Sequence, residues 1–126
     1  MAVLGARAAR EAEQCLELCG IDSREFAILD YLARAEAPIA QATLAFRLAR
    51  DRSTVMRITR SLSTKGMLVP LRDPRDGRVR AVQITAHGQN AYRLAGDNLL
   101  AGAESYFGML TEEEIDRLLA TLARII

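Results

Sequence analysis

Residue types that commonly carry enzyme or metal chemistry are scarce in this chain of 126 residues. It contains no tryptophan, one histidine and two cysteines. His87 has no acids or cysteines clustered around it, so the sequence predicts neither a metal site nor a cofactor. No Ser/His/Asp or paired-carboxylate arrangement stands out, and one histidine limits the choice of a general base. An enzyme is therefore the least supported class of function.

Long apolar runs and a disulfide framework are also missing. Half of the residues are apolar, but they occur in stretches of only a few residues, so no segment is expected to span a membrane. The N-terminal residues include Arg7, Arg10, Glu11 and Glu13, unlike the apolar region of a secretory signal. The two cysteines lie in one short segment. We therefore expect one compact cytoplasmic domain, or one subunit of a small oligomer.

The net charge is only +1, but it is unevenly distributed. Residues 1–40 carry four arginines against seven acids, a net charge of −3, and residues 94–126 carry two arginines against six acids, a net charge of −4. Residues 41–93 carry ten arginines and one lysine against three aspartates, a net charge of +8. A basic segment between acidic flanks indicates an anionic partner, such as nucleic acid, for that segment.

Helical periodicity and capping residues predict two helices in the first third of the chain. Apolar residues recur at steps of three and four over about residues 3–19, and Gly20 is expected to end this helix. Asp22 and Glu25 form a capping-box pattern at the start of a second helix. The pattern of the second helix ends before Pro38.

A helix-turn-helix pattern follows. A short helix is predicted over about residues 40–48, a tight turn over residues 49–51, and a longer helix that Asp51 caps and Gly66 ends. The small residues Ala45 and Ala49 are expected where the two helices cross closely. The predicted inward positions are Leu44, Ala45, Leu48, Val55, Ile58 and Leu62.

Two short strands are predicted next, over residues 67–72 and 79–84, with a turn-rich segment between them. Pro70 confines the first strand to an edge or a bulge. A long helix is predicted from Thr85 to about Phe107, and its apolar side comprises Ala91, Leu94, Ala95, Leu99 and Ala103. A last helix begins with the capping box of Thr111 and Glu114. A helix-turn-helix followed by a hairpin is a winged helix. The predicted fold is therefore mainly α, with six helices and a small β-hairpin wing between the fourth and the fifth.

Residues 44–88 also contain motifs at defined spacings. They are Leu44-Ala45, Ser53-Thr54-Val55, Leu62, Lys65-Gly66, Asp76-x-Arg78 and Ile84-Thr85-x-x-Gly88. In this order they resemble the MarR family of winged helix-turn-helix transcriptional regulators, and the flanking helices extend the similarity over essentially the whole chain. Pro70 departs from the basic residue usual in the first wing strand. The resemblance implies a regulator of pseudo-palindromic operator DNA, and specifically a repressor that a small-molecule ligand releases.

The second helix of such a pair enters the major groove by its N-terminal half. Its outward residues are Arg52, Ser53, Met56, Arg57 and Arg60. Arg57 can bridge guanine O6 and N7, and Met56 can pack on a thymine methyl group. Ser53, Thr54 and the helix N-terminus can hold a phosphate, whereas Arg60 is expected to meet the DNA backbone.

The predicted wing supplies a second basic surface. Its arginines are Arg72, Arg75, Arg78 and Arg80, and only two aspartates balance them. The resemblance implies that Arg78 enters the minor groove and that Asp76 braces it. A narrow A·T-rich groove would favour this arginine electrostatically.

These assignments have less specific alternatives. The arginine-rich hairpin could be an ordinary solvated loop, and Asp76 and Arg78 could form a purely structural turn pair. Arg52 and Arg60 could face solvent, and Met56 could belong partly to the core. For the whole chain, the alternative is a winged-helix protein-interaction module that has lost DNA binding.

The long helix from Thr85 and the last helix carry more apolar surface than one small winged helix can cover, and the first helix adds another apolar stripe. The stripe of the last helix comprises Ile115, Leu118, Leu119, Leu122 and Ile126. A symmetric homodimer is the simplest way to bury these stripes. We assign residues 22–88 to a winged helix-turn-helix DNA-binding unit, and residues 1–21 and 89–126 to a helical dimerisation region of the same integrated domain.

The resemblance suggests two further sites. Relatives often bind a small aromatic or phenolic molecule between the dimer helices and the winged helix. Candidate lining residues here are Tyr31, Tyr92, Arg93 and Tyr106. Some relatives sense peroxides through a cysteine in the first helix. Cys15 and Cys19 follow the apolar stripe and lie away from the helix N-terminus, so packing is favoured over a redox role.

Overall fold

The computed structural model describes residues 2–35, 37–107, 111–114, 116, 117 and 120, with side chains except those of residues 2–5, 8 and 103–107. The elements in the described segments are α1 (Ala2–Glu17), α2 (Ser23–Ala35), β1 (Ile39–Ala40), α3 (Gln41–Arg47), α4 (Arg52–Thr64), β2 (Leu68–Arg72), β3 (Arg80–Ile84) and α5 (Ala86–Phe107). Residues 112–114, 116, 117 and 120 are also helical, in agreement with the start of the predicted sixth helix, whose apolar stripe lies outside the described residues. None of the described helices is long and apolar enough to cross a membrane.

A glycine in the left-handed conformation closes α1. The helix ends at Glu17, two residues before the predicted end. Gly20 has a φ of +75°, and the N–H of Ile21 donates to the carbonyl of Leu16 at 3.3 Å. This pattern satisfies carbonyls that the helix itself leaves unpaired, and it confirms the predicted C-terminal glycine. Gly66 takes the same conformation after α4, with a φ of +74°.

Two predicted capping boxes are present. The N–H of Glu25 donates to Asp22 Oδ1 at 2.8 Å, and the N–H of Asp22 donates to Glu25 Oε1 at 3.1 Å. The N–H of Glu114 donates to Thr111 Oγ1 at 3.2 Å, and the N–H of Thr111 donates to Glu114 Oε1 at 3.2 Å. Each box satisfies backbone donors that the first helical turn leaves free.

A three-stranded antiparallel sheet in the order β1–β3–β2 forms the wing and its base. β2 and β3 pair from Leu68 opposite Ile84 to Arg72 opposite Arg80, which confirms the predicted hairpin. Pro70 lies in β2, an edge strand, as predicted. β1 was not predicted, because two residues are too few to show the alternation that marks a strand.

The helix-turn-helix pair packs through the predicted face. Leu44, Ala45, Val55, Ile58 and Leu62 are buried, and Leu48 is half-buried. Ala49 lies in the predicted turn with a φ of +52°. Its predicted place at a close helix crossing is wrong, because the residue is exposed. The N–H of Arg50 donates to the carbonyl of Ala45 at 3.0 Å. The turn therefore closes as α1 does, but with a non-glycine residue in the left-handed conformation.

Small residues allow α5 to lie close to α1 and α2, against which it packs. Ala91 and Ala95 are buried, as predicted, and Leu99 packs partly buried against the core. Leu94, which was predicted on the same apolar side, is instead 56% exposed. The apolar side of α5 is thus wider than the surface that one copy of the chain covers.

The Thr85-x-x-Gly88 motif joins the start of α5 to the turn after α4. The hydroxyl of Thr85 accepts the N–H of Gly88 at 3.0 Å and donates to the carbonyl of Gly66 at 2.7 Å. A Cβ at Gly88 would lie 2.0 Å from the carbonyl oxygen of Met67 and 2.8 Å from Ile84 Cγ1. Only glycine fits at this point without a backbone shift.

A buried carboxylate joins the α1–α2 turn to the end of α4. Glu25 is 4% exposed, and each of its oxygens accepts a 2.8 Å bond from Lys65 Nζ. The hydroxyl of Ser61 donates to the same carboxylate at 3.1 Å. Lys65 Nζ also donates to the carbonyl of Gly20 at 2.8 Å. The sequence predicted only a capping role for Glu25, and it did not predict this link between distant segments.

We expect Gly88→Ala to lower the free energy of unfolding by about 3 kcal/mol, because the new methyl group overlaps the Met67 carbonyl. Gly96→Ala is the matched control on the same helix, since its Cβ would meet nothing within 4 Å. The control should be neutral or stabilising, by up to about 1 kcal/mol. Urea unfolding at fixed protein concentration measures both, and equal stability of the two variants would refute the packing argument.

We also expect Lys65→Met to destabilise the chain more than Glu25→Gln does. The first change leaves a buried carboxylate without its cation, at a cost on the order of 3 kcal/mol. The second leaves an ammonium whose side chain is 36% exposed and can reach water. Thermal or chemical unfolding of both variants decides the order, and a larger loss for Glu25→Gln would contradict it.

Candidate nucleic-acid interface

The outward face of α4 carries the predicted contact residues together. Val55, Ile58 and Leu62 hold the opposite face in the core. Arg52, Ser53, Arg57 and Arg60 are exposed, and Thr54 and Met56 are half-buried. The structure therefore places all six on the accessible part of one helix.

Asp51 organises the N-terminus of α4. Its carboxylate accepts the N–H of Thr54 at 3.1 Å, which confirms the predicted cap. It also accepts the hydroxyl protons of Ser53, at 2.5 Å, and Thr54, at 2.6 Å. These hydrogen bonds, led by that of Ser53, hold the pKa of Asp51 well below its usual range. The Asp51 carboxylate is thus ionised at neutral pH, beside the exposed face of the helix.

The tip of the wing is shaped by hydrogen bonds of its two aspartates. The N–H of Asp73 donates to the carbonyl of Val79 at 2.8 Å, and the N–H of Val79 donates to the carbonyl of Asp76 at 3.0 Å. Asp73 Oδ1 accepts the N–H of Arg75 at 2.8 Å. Carboxylates that bond nearby N–H groups stabilise tight turns, so the tip has a defined backbone.

Asp76 supports Arg78 through the backbone. Its carboxylate accepts the Arg78 N–H at 3.0 Å, rather than pairing with the guanidinium. The guanidinium of Arg72 donates to the carbonyl of Gly77 at 2.9 Å, so part of its hydrogen-bonding capacity stabilises the wing. Arg75, Arg78 and the other two wing arginines are exposed. The wing therefore presents cations on a backbone that its own polar groups fix.

A groove of 660 Å³ separates α4 from the wing. The four arginines that line it are Arg60, Arg72, Arg78 and Arg80. Apolar contact surface in the same groove comes from Met56, Leu71 and Val79. Two predicted residues of α4, Met56 and Arg60, thus meet three predicted wing arginines across one cationic concavity, which suits an extended anion. The groove is not lined by the other predicted residues, Arg52, Ser53, Thr54, Arg57, Arg75 and Asp76.

Gln41 is a candidate residue that the sequence analysis missed. It begins α3 and lines both the main groove and an adjoining cavity of 320 Å³, which Arg52, Met56 and Arg80 also line. Its position follows β1, the strand that was not predicted, so no local pattern marked it. Arg50, in the turn before α4, is also exposed and adds to the positive charge.

Two of the residues predicted to line an effector crevice, Tyr92 and Tyr31, already pack against other parts of the chain. The hydroxyl of Tyr92 donates to Asp30, and its ring stacks on Phe26 with centroids 5.3 Å apart. The hydrogen bond to Asp30, followed by burial, raises the pKa of Tyr92. Tyr31 is half-buried against the core, and Arg93 is exposed. The side chain of Tyr106 lies outside the described residues.

The cysteines are packed between α1 and α5. Both are free and half-buried. The amide of Asn98 lies 3.3 Å from Cys19 Sγ, and a Cβ on Gly102 would lie 3.1 Å from Cys15 Sγ. This agrees with the predicted packing role. His87 is exposed, and the described residues contain no group of three or more His, Cys, Asp or Glu side chains that could hold a metal ion.

About half of the chain matches the model of a known protein family. Residues 20–79 match the family model of the MarR family. This segment contains α2, the helix-turn-helix pair and most of the wing. None of the curated proteins matches the sequence.

Solved structures share the fold over nearly the whole chain. The apo form of MarR from E. coli has a TM-score of 0.80 and 21% identity, with 99% of this chain and 93% of that chain covered. A mutant of the same protein, complexed with operator DNA, has a TM-score of 0.79 and 21% identity, over 99% and 89% of the two chains. PcaV from Streptomyces coelicolor, in complex with its natural ligand, has a TM-score of 0.74 and 25% identity, over 97% and 88%. These likenesses confirm the winged-helix fold.

Proposed function

This chain belongs to the MarR family of winged-helix transcriptional regulators, and on that premise we propose that it binds a pseudo-palindromic operator as a homodimer. The observation that carries the proposal is the groove between α4 and the wing, which four arginines line. The surrounding segment, residues 41–93, has the net charge of +8. A MarR relative complexed with operator DNA supports the same partner for this surface.

In the proposed complex, α4 enters the major groove by its N-terminal half. Arg57 reads guanine through O6 and N7, and Met56 contacts a thymine methyl group. Arg60 and Arg52 lie nearer the sugar–phosphate backbone and neutralise its charge. Gln41, at the junction of the two cavities, contributes a further polar contact.

The wing occupies the neighbouring minor groove. Arg78 is the inserted side chain, on the backbone that Asp76 fixes. A narrow A·T-rich minor groove concentrates negative potential, which favours this arginine without a base-specific hydrogen bond. Arg75 and Arg80 then face the flanking phosphates, and Arg72 does so with the donors left after its bond to Gly77.

The helices outside residues 22–88 form the proposed dimer region, residues 1–21 and 89–126. Leu18, Leu94 and Leu100 expose 83%, 56% and 61% of their surfaces in one copy. A symmetric partner would bury such surface and set two half-sites about 34 Å apart. The acidic charge of these segments does no harm there, because they face away from the DNA.

We infer that the protein is a repressor released by a small aromatic or phenolic ligand. PcaV, a structural neighbour solved in complex with its natural ligand, supports ligand binding by a protein of this fold. The proposed location here is the contact region of α2 and α5, with Tyr92 and Arg93 as candidate contacts. A ligand bound there would act by changing the distance between the two recognition helices.

Arg57→Ala should weaken binding of the best duplex selected from a random library by about 1–3 kcal/mol and relax the preference at one base position. The control is Arg10→Ala, which removes the same charge from α1 and should leave affinity and preference unchanged. Fluorescence anisotropy with the selected duplex and its single-base variants, at several salt concentrations, measures the affinity and the base preference. Affinity that does not fall with salt, or an absence of binding to every duplex at low salt, would favour the protein-interaction module instead.

The homodimer and the ligand are tested separately. Sedimentation equilibrium should give twice the chain mass at micromolar concentration, and a monomer that binds the operator without pairing would contradict the proposed assembly. Operator affinity should fall when a suitable aromatic or phenolic acid is added. Equal affinity with and without every compound of a screened set would count against release by such a ligand.

A further inference from the structure

The hydroxyl groups at the start of α4 have their protons committed to one acceptor. Ser53 Oγ lies 2.5 Å from Asp51 Oδ2, and Thr54 Oγ1 lies 2.6 Å from Asp51 Oδ1. The two side chains therefore bind different oxygens of the same carboxylate. Ser53 is exposed, whereas Thr54 is half-buried.

The direction of these hydrogen bonds follows from the chemistry of the groups. An ionised carboxylate only accepts hydrogen bonds, and the hydrogen bonds it receives keep Asp51 ionised at neutral pH. A serine or threonine hydroxyl has a single proton, so each hydroxyl here must donate it to Asp51. What remains on the outer side of each oxygen is a lone pair, and the hydroxyl can only accept.

This polarity argues against a phosphate at the same position. Phosphate oxygens are acceptors and need a donor, which neither hydroxyl has to spare. The carboxylate of Asp51 adds a negative charge next to them, which repels a phosphate further. As long as both hydroxyls donate to Asp51, the phosphate contact that the sequence suggested for Ser53 and Thr54 is disfavoured.

Hydrogen-bond donors do occur on the base edges of the major groove. They are the exocyclic amino groups, N6 of adenine and N4 of cytosine, whereas guanine and thymine present acceptors there. An exposed hydroxyl that can only accept a hydrogen bond can therefore pair only with adenine or cytosine. The same carboxylate that caps α4 thus sets which bases its neighbour can recognise.

We propose that Ser53 is a specificity-determining residue that accepts a hydrogen bond from the amino group of an adenine or a cytosine in each half-site. This inference rests on the proposed function, since it requires α4 to lie in the major groove. The Thr54 hydroxyl also donates to Asp51 and can only accept from DNA. Because Thr54 is less exposed than Ser53, it is not the principal contact. Asp51 acts as the positioning residue.

The test uses the full chain and the duplex that the wild type selects from a random library. Each adenine of a half-site is replaced in turn by purine, which lacks the N6 amino group, and each cytosine by 2-pyrimidinone, which lacks the N4 amino group. For one position per half-site, the wild type should lose about two- to tenfold in affinity, as expected for one hydrogen bond. Ser53→Ala should bind the unmodified duplex with the same loss, and the base change should cost this variant only the weakening of the base pair.

This comparison separates the hydrogen bond from other effects. The weakening of the base pair by the modified base is common to wild type and variant, so it cancels in the difference between them. Ser23→Ala, which removes an exposed hydroxyl at the start of α2, is the control and should behave as the wild type. Circular dichroism confirms that each variant is folded, and Thr54→Val is measured in parallel.

Three outcomes would overturn the inference. The first is a Ser53→Ala variant that binds every duplex more weakly by the same factor and keeps its base preference, which identifies a phosphate contact. The second is coupling of an amino group to Thr54 alone. The third is a wild-type chain that binds no duplex at low salt, which refutes the proposed function itself. In the first two outcomes the protein still binds DNA, so the two failures are distinguishable.

Discussion

The buried carboxylate of Glu25 holds three parts of the chain at one point. It accepts the N–H of Asp22 at the start of α2, and through Lys65 and Ser61 it fixes the last turn of α4. Lys65 also bonds the carbonyl of Gly20, at the end of the α1–α2 turn. A charge this deeply buried is tolerated only with its partners in place, so the position of α4 relative to α1 and α2 is set by electrostatics as well as by packing. The exposed face of α4, and with it the candidate interface, takes its orientation from this point.

Much of the fold could be predicted because local sequence patterns determine it. Capping pairs such as Asp22 with Glu25, and glycines such as Gly20 and Gly66, act over three to five residues, which a linear reading can detect. The inward face of the helix-turn-helix follows from helical periodicity in the same way. The sequence also predicted basic contact residues on α4 and on the wing, and one groove is lined by Arg60 of α4 together with Arg72, Arg78 and Arg80 of the wing.

The remainder depends on contacts that no local pattern records. Lys65 and Glu25 are 40 positions apart, and β1 is recognisable only by its partner strand. Ala49 looked like a small residue for a close helix crossing, but the turn needed a left-handed residue at that place. The direction of the Ser53 hydroxyl depends on the exact position of the Asp51 carboxylate. The sequence could therefore name the candidate site residues, but it could not assign the polarity of their hydrogen bonds.

Pro70 also bears on how copies of the chain meet. The free edges of a sheet offer unpaired N–H and C=O groups that recruit other strands and lead to aggregation. At one edge of this sheet Pro70 removes a donor from the middle of β2, and at the other edge β1 is only two residues long. Neither edge offers a continuous template for a further strand. A chain proposed to pair with its own copy through helices is thereby protected from a competing association through its wing, and the residue that departs from the basic pattern contributes to keeping the protein's self-recognition specific.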